Sequence, residues 1–243
     1  MSLGPLVQMT NVSRGGPGRV GSLSYRTGIM AVLASLAGAS SACAATINVD
    51  VRNDVVSSTD GHCSLREAVT AANTDTASGT TAGECPRGDA GGDVVVLAAG
   101  DPYVLTTANG GALRITSSLT ISGPGAANTT IDAGATSRVL DVGASPAAAV
   151  SGVTITGGRA PDGTAPASSG TGGSGGGIRN GGVLTLADVT VRANRAGSGL
   201  AGSNDPAIGH PGSPGGAGGG IYNTGTLTLI RTTVADNTAG AGG

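Results

Sequence analysis

The sequence predicts an all-β protein, a parallel β-helix (a solenoid) opened by a short capping helix. Three observations carry that expectation. A 26-residue passage returns 43 positions later: residues 175–200 read GGGIRNGGVLTLADVTVRANRAGSGL, residues 218–243 read GGGIYNTGTLTLIRTTVADNTAGAGG, and 15 of the 26 positions are identical. Such a period marks a fold in which each unit buries its apolar side on its neighbour. The 243 residues include no Phe, no Trp and only three Tyr, so a core must be assembled from thin layers of Val, Ile and Leu. Those aliphatics come in short runs separated by Gly or Asn, which suits a tight coil better than a broad sandwich.

The first 44 residues lie outside the predicted fold. Arg14, Arg19 and Arg26 precede an apolar run at 29–39 that is too short to span a bilayer. Ala42-Cys43-Ala44 then has the small-x-small form of a secretory signal-peptide cleavage site. The competing readings are an ordinary apolar helix and a lipoprotein signal ending at Cys43, and Met9 is an alternative start. Removing 1–44 takes three Arg and no acid, leaving ten basic and fifteen acidic groups, a net charge of −5. That balance disfavours nucleic acid and anionic lipid, which both require a cationic face. No other stretch is apolar enough to be a membrane span. The expected location is extracellular or cell-surface.

Ile47, Val49 and Val51 alternate with polar residues, the period of a strand. Ser64 followed three positions later by Glu67 forms a capping box, and Leu65, Ala68, Val69 and Ala72 share one face of the helix it opens. Cys63 and Cys85, the two cysteines left after processing, read as a disulfide in an exported chain; His62 beside Cys63 is not at a zinc-ligand spacing. Further strands are expected at 93–97, 103–105, 113–115, 119–121, 130–132, 139–142, 153–155, 183–186, 189–191, 227–230 and 233–235. The Gly/Pro/Ser-rich segment 157–174 and the segment 196–217, nearly all Gly, Ser, Ala, Pro and Asn, read as flexible excursions leaving the same corner of successive coils. Subtracting the second from the 43-residue period leaves a coil of about 20 residues.

Residues 63–68 spell CSLREA, and GHCSLREAVTAAN, a second Cys and DVVVLAAGDPYVLT follow one another as in the N-terminal module of CSLREA-domain proteins. LTISGPGAANTTIDAG and GGGIYNTGTLTL resemble the secreted right-handed parallel β-helix proteins, of pectin-lyase-like fold, that carry this module, and the resemblance implies that handedness here. The resemblance covers residues 46–243 and implies a capping module at 46–100 followed by β-helix repeats at 101–243. The GGGI runs, with Val191-x-x-Asn194 and Val234-x-x-Asn237, are more loosely similar to the repeats of polymorphic outer-membrane proteins, with Val where those have Phe.

Repeat-equivalent positions stack on neighbouring coils. Asn180 with Asn223, and Asn194 with Asn237, are expected to form structural amide ladders. Asp188 with Arg231 is expected to be an exposed ion pair of about 0–1 kcal/mol. The catalytic alternative is a polysaccharide lyase or glycosidase, whose chemistry requires carboxylates and a base. Asp132, Arg138 and Asp141 are its candidates, because Asp132 and Asp141 lie on successive strands and could share a face. His210, in a Gly/Pro loop, reads as solvated. Too few ionisable groups converge to favour an enzyme, and no cofactor or metal site is expected. The favoured reading is a structural or adhesive interaction protein, a monomer or part of a larger surface protein, with matrix or host proteins or glycans as partners. The stop at Gly243 without a capping unit is read as the mark of a fragment or of an end covered by a partner.

Overall fold

The computed structural model describes residues 44–164, 170–202 and 211–243, within a compact unit at Ser40–Gly243. Residues 1–43 of the predicted signal segment and His210 lie outside the described residues. In chain order the elements are β1 (Thr46–Asn48), α1 (Leu65–Thr74), β2 (Asp93–Val96), β3 (Tyr103–Val104), β4 (Leu113–Ile115), β5 (Leu119–Ser122), β6 (Thr130–Asp132), β7 (Leu140–Val142) and β8 (Ala147–Ser151). They continue with β9 (Thr154–Thr156), β10 (Ile178–Asn180), β11 (Val183–Ala187), β12 (Thr190–Arg192), β13 (Ile221–Asn223), β14 (Thr226–Ile230) and β15 (Thr233–Ala235).

The strands form three sheets, ordered β1-β2-β5-β8-β11-β14, β13-β10-β7-β4 and β15-β12-β9-β6-β3, and the pairings are parallel. From β4 onward, each strand enters a different sheet from the one before it, and every third strand returns to the same sheet. Parallel registry places like residues in columns. Ile47, Val95, Ile121, Val150, Leu186 and Leu229 form one, and Tyr103, Ile131, Ile155, Val191 and Val234 another. All members but the last of each are at most 2% exposed. Stacked aliphatics therefore supply the core that the missing aromatics do not. On the outermost strands the same columns end at Leu229, 48% exposed, and Val234, 47% exposed.

The offset between paired strands exceeds the expected 20 residues. Thr130 pairs with Thr154, 24 positions on, Leu113 with Leu140, 27 on, and Leu119 with Ala148, 29 on. The turns joining consecutive strands account for the extra length.

The excursions are not flexible spacers in their described parts. Gly240 N–H donates to Gly216 C=O, Gly216 to Gly197, Gly197 to Gly173 and Gly173 to Pro161, at 2.8–2.9 Å. A Cβ on Gly197 would lie 1.8 Å from the Pro161 carbonyl oxygen, and one on Gly216 1.9 Å from that of Gly173. Neither glycine has a left-handed φ. Glycine is needed here because backbone packs on backbone at a distance that leaves no room for a side chain.

Ser64 and Glu67 close the capping box: Glu67 N–H donates to Ser64 Oγ at 3.3 Å and Ser64 N–H to Glu67 Oε2 at 3.0 Å. Glu67 Oε1 also accepts from Ser57 N–H at 2.7 Å, so one carboxylate starts α1 and holds the preceding loop. A disulfide joins Cys63 to Cys85. Leu65, Ala68, Val69 and Ala72 are buried in the same apolar cluster as the strands. The middle of the hexapeptide contributes an ion pair, Arg66 Nε on Asp54 Oδ1 at 2.7 Å, with the Asp54 side chain 1% exposed.

Asn180 and Asn223 end the adjacent strands β10 and β13, and Asn194 and Asn237 sit two positions beyond β12 and β15. Asn180 Nδ2 donates to Asn223 Oδ1 at 2.6 Å, and Asn194 Nδ2 to Asn237 Oδ1 at 2.9 Å. Asn194 is 1% exposed; it also donates to the carbonyls of Ile155 and Arg192 and accepts from Gly158 N–H at 2.7 Å. Asn194→Ala would orphan these groups, each at about 1–3 kcal/mol. The expected loss is about 3 kcal/mol in urea unfolding, with a smaller loss for the half-exposed Asn237→Ala. Equal, negligible losses would contradict a ladder.

Candidate functional site

The outer row of the four-stranded sheet carries three charged residues and a tyrosine. Arg114, Asp141, Arg179 and Tyr222 occupy the middle of β4, β7, β10 and β13 and lie in register. Their apolar neighbours turn inward, Leu113 and Ile115 about Arg114 and Leu140 and Val142 about Asp141. Strand alternation thus places this row outward.

Beside the row, the segments around Ser137 and Pro161 wall a groove of about 520 Å³, lined by Arg114, Arg138, Asp141, Arg159 and Asp162. Arg159 N–H donates to Ser137 C=O at 2.7 Å and ties the walls together. Both carboxylates in the groove are committed. Arg179 forks onto Asp141 at 2.9 and 2.8 Å. Asp162 accepts from Arg159 Nη2 at 2.5 Å and from Ser198 N–H at 2.8 Å. The Ser198 amide, with Arg159 adding to it, holds the Asp162 carboxyl below its ordinary range.

Two cations are left over. Arg138 donates through Nε to Ser174 C=O at 3.1 Å, and its terminal nitrogens have no partner among the described residues. Arg114, likewise, has no ion pair or side-chain hydrogen bond there. Burial pushes the Arg138 guanidinium below its usual value, neighbouring Arg179 pushes it further, and Asp141 opposes both.

Of the three catalytic candidates, Arg138 and Asp141 line the groove and Asp132 does not. Asp132 is on β6, in the five-stranded sheet, and Asp141 on β7, in the four-stranded one; Asp132 Oδ1 accepts from Gly134 N–H in a local turn at 2.8 Å. The expected shared face fails because successive strands enter different sheets. Sequence reading missed Arg114, Arg159, Asp162 and Arg179. Strand phase signals Arg114 and Arg179, since LRI and IRN each set a charged residue between inward-facing ones; Arg159 and Asp162 lie outside the strands, where no such phase marks them.

A glycosidase acid requires a carboxyl raised toward neutrality, whereas Asp162 is shifted the other way. Among the described residues no group of three or more His, Cys, Asp or Glu is placed to hold a metal ion. The repeat pair Asp188 and Arg231 forms an exposed two-bond contact at 2.6 and 2.7 Å. Compared with protein-family models, with curated proteins and with solved structures, the chain matches none.

Proposed function

We propose that the chain is an exported or cell-surface interaction protein, a right-handed parallel β-helix that holds anionic extracellular ligands, acidic glycans foremost, in the groove beside Arg114 and Arg138. The observation that carries this is a groove whose carboxylates are paired with other arginines, while Arg114 and Arg138 form no ion pair among the described residues. Arginine forks match carboxylate and sulfate oxygens, and such charge-assisted bonds are the strong ones. The three parallel sheets, visited in turn, support the β-helix reading. Crossovers between parallel strands of one sheet are right-handed in about 98% of cases. The CSLREA resemblance supports α1 and its disulfide as the module seated on the first strands. No helix among the described residues is long and apolar enough to cross a membrane.

The test is binding of polygalacturonate and dextran sulfate, with neutral dextran as control, by calorimetry. Arg138→Ala and Arg114→Ala are each expected to weaken binding about 10-fold or more, from the loss of a charge-assisted bond of about 1.5–3 kcal/mol. Unchanged affinity in both variants would sink the groove as the site. A second reading, a lyase, is favoured by one observation, the depressed Arg138 guanidinium beside Asp141. Unsaturated product absorbing in the ultraviolet, lost in Asp141→Ala, would replace binding by catalysis.

A further inference from the structure

Asp93 opens β2 and is fully buried. Its Oδ1 accepts from Ala45 N–H at 3.1 Å and from Asp89 N–H at 2.9 Å, and Oδ2 has no partner. No ion pair reaches this carboxylate among the described residues; the contacts there are Arg66 on Asp54, Arg87 on Asp89 and others elsewhere. A buried carboxylate held by two amides and no cation is costly. A Cβ on Gly88 would lie 2.3 Å from Oδ2, so the chain keeps a glycine where this oxygen sits.

The amide facing Asp93 belongs to the residue that follows Ala42-Cys43-Ala44, the expected cleavage motif. Ala44 is exposed. Ala45 is fixed from its other side, where Val94 N–H donates to its carbonyl at 2.8 Å. We infer that the α-ammonium created by removing residues 1–44 is the missing counter-ion of Asp93. In that step water adds across the Ala44–Ala45 peptide bond. Ala44 leaves as a carboxylate on the leader, and the Ala45 nitrogen takes up a proton. One neutral donor becomes a cation with three donors, held 3.1 Å from Oδ1 of the Asp93 carboxylate. Processing thereby locks β1 onto β2, and the chain that retains its leader lacks the lock. This inference rests on the export reading given above.

The test compares three forms by thermal unfolding: the chain beginning at Ala45 with a free amine, the same chain Nα-acetylated, and a chain beginning at Ala44, whose amine is displaced by one residue. The free Ala45 form is expected to melt roughly 5–10 °C above the other two, a shift of a few kcal/mol for a chain of this size. In Asp93→Asn the three are expected to melt together. Equal midpoints in the unsubstituted protein, or a difference that survives Asp93→Asn, would overturn the pairing, as would an exported chain whose amino terminus, read by sequencing, is not Ala45. Recovery of the uncleaved chain inside the cell would defeat the export reading itself.

Discussion

Asp54→Ala is expected to lower stability by about 3–5 kcal/mol, the range for breaking a buried ion pair by removing one partner. The Asp54 carboxylate collects four donors: Arg66 Nε at 2.7 Å, Arg66 Nη2 at 2.9 Å, Thr106 N–H at 2.7 Å and Thr106 Oγ1 at 2.8 Å. Arg66 also donates to Gly111 C=O at 2.6 Å, and Asn109 Nδ2 donates to the Asp54 carbonyl. One carboxylate thus connects α1, the loop before it and the turn before β4. Alanine would leave the guanidinium, 11% exposed, without its counter-charge and the Thr106 amide without an acceptor. Thermal unfolding followed by circular dichroism should shift down by roughly 6–20 °C, at about 2–4 °C per kcal/mol. Combining Asp54→Ala with Arg66→Met should recover part of the loss, because the penalty comes mostly from a stranded charge. A loss below about 1 kcal/mol, or no recovery in the double variant, would mean the pair is solvated and ordinary.

What the sequence made legible follows the range of each interaction. The capping box needs only Ser64 and Glu67 three positions apart, and its signal is local. The Asp54 knot joins residues 12 and 52 positions apart, and no local pattern announces it. Strands with large alternating aliphatics could be read from their period. β8, with the sequence AAAVS, offers almost no side-chain contrast, and β10 and β13 are three-residue strands that begin at the last residue of the GGGI runs. The groove was half legible for the same reason. Arg138 and Asp141 are near neighbours in the chain, whereas Asp141 and Arg179 meet across 38 positions. Asp132 was misplaced because strand adjacency in sequence is not sheet adjacency when each strand enters a new sheet.

Composition misled most in the glycine-rich segments, and there a substitution gives opposite signs for the two readings. In a flexible loop Gly→Ala is neutral or stabilises by about 0.4–1 kcal/mol, since it reduces the freedom of the unfolded chain. In the packed layer Gly197→Ala drives a methyl group to 1.8 Å from the Pro161 carbonyl oxygen, with the Pro161 carbonyl carbon at 2.6 Å and the Gly173 nitrogen at 2.8 Å. These are backbone atoms, and no rotamer relieves the contact. Overpacking costs about 1–3 kcal/mol and occasionally more; with the hydrogen bonds of Gly197 to Gly173 and of Gly216 to Gly197 at stake, about 3 kcal/mol or above is expected. Gly242 lies outside these segments, at the repeat position equivalent to Gly199, and its Cβ would meet nothing nearer than Ser213 C=O at 3.9 Å, so Gly242→Ala should fall within about 0.5 kcal/mol of the parent. Hydrogen exchange should localise the difference: Gly197→Ala loses protection at Gly197, Gly216 and Gly240 together, because their amides form one relay. Equal tolerance at both positions would return these segments to the class of linkers. A loss confined to Gly197→Ala shows glycine chosen for the approach of one backbone to another.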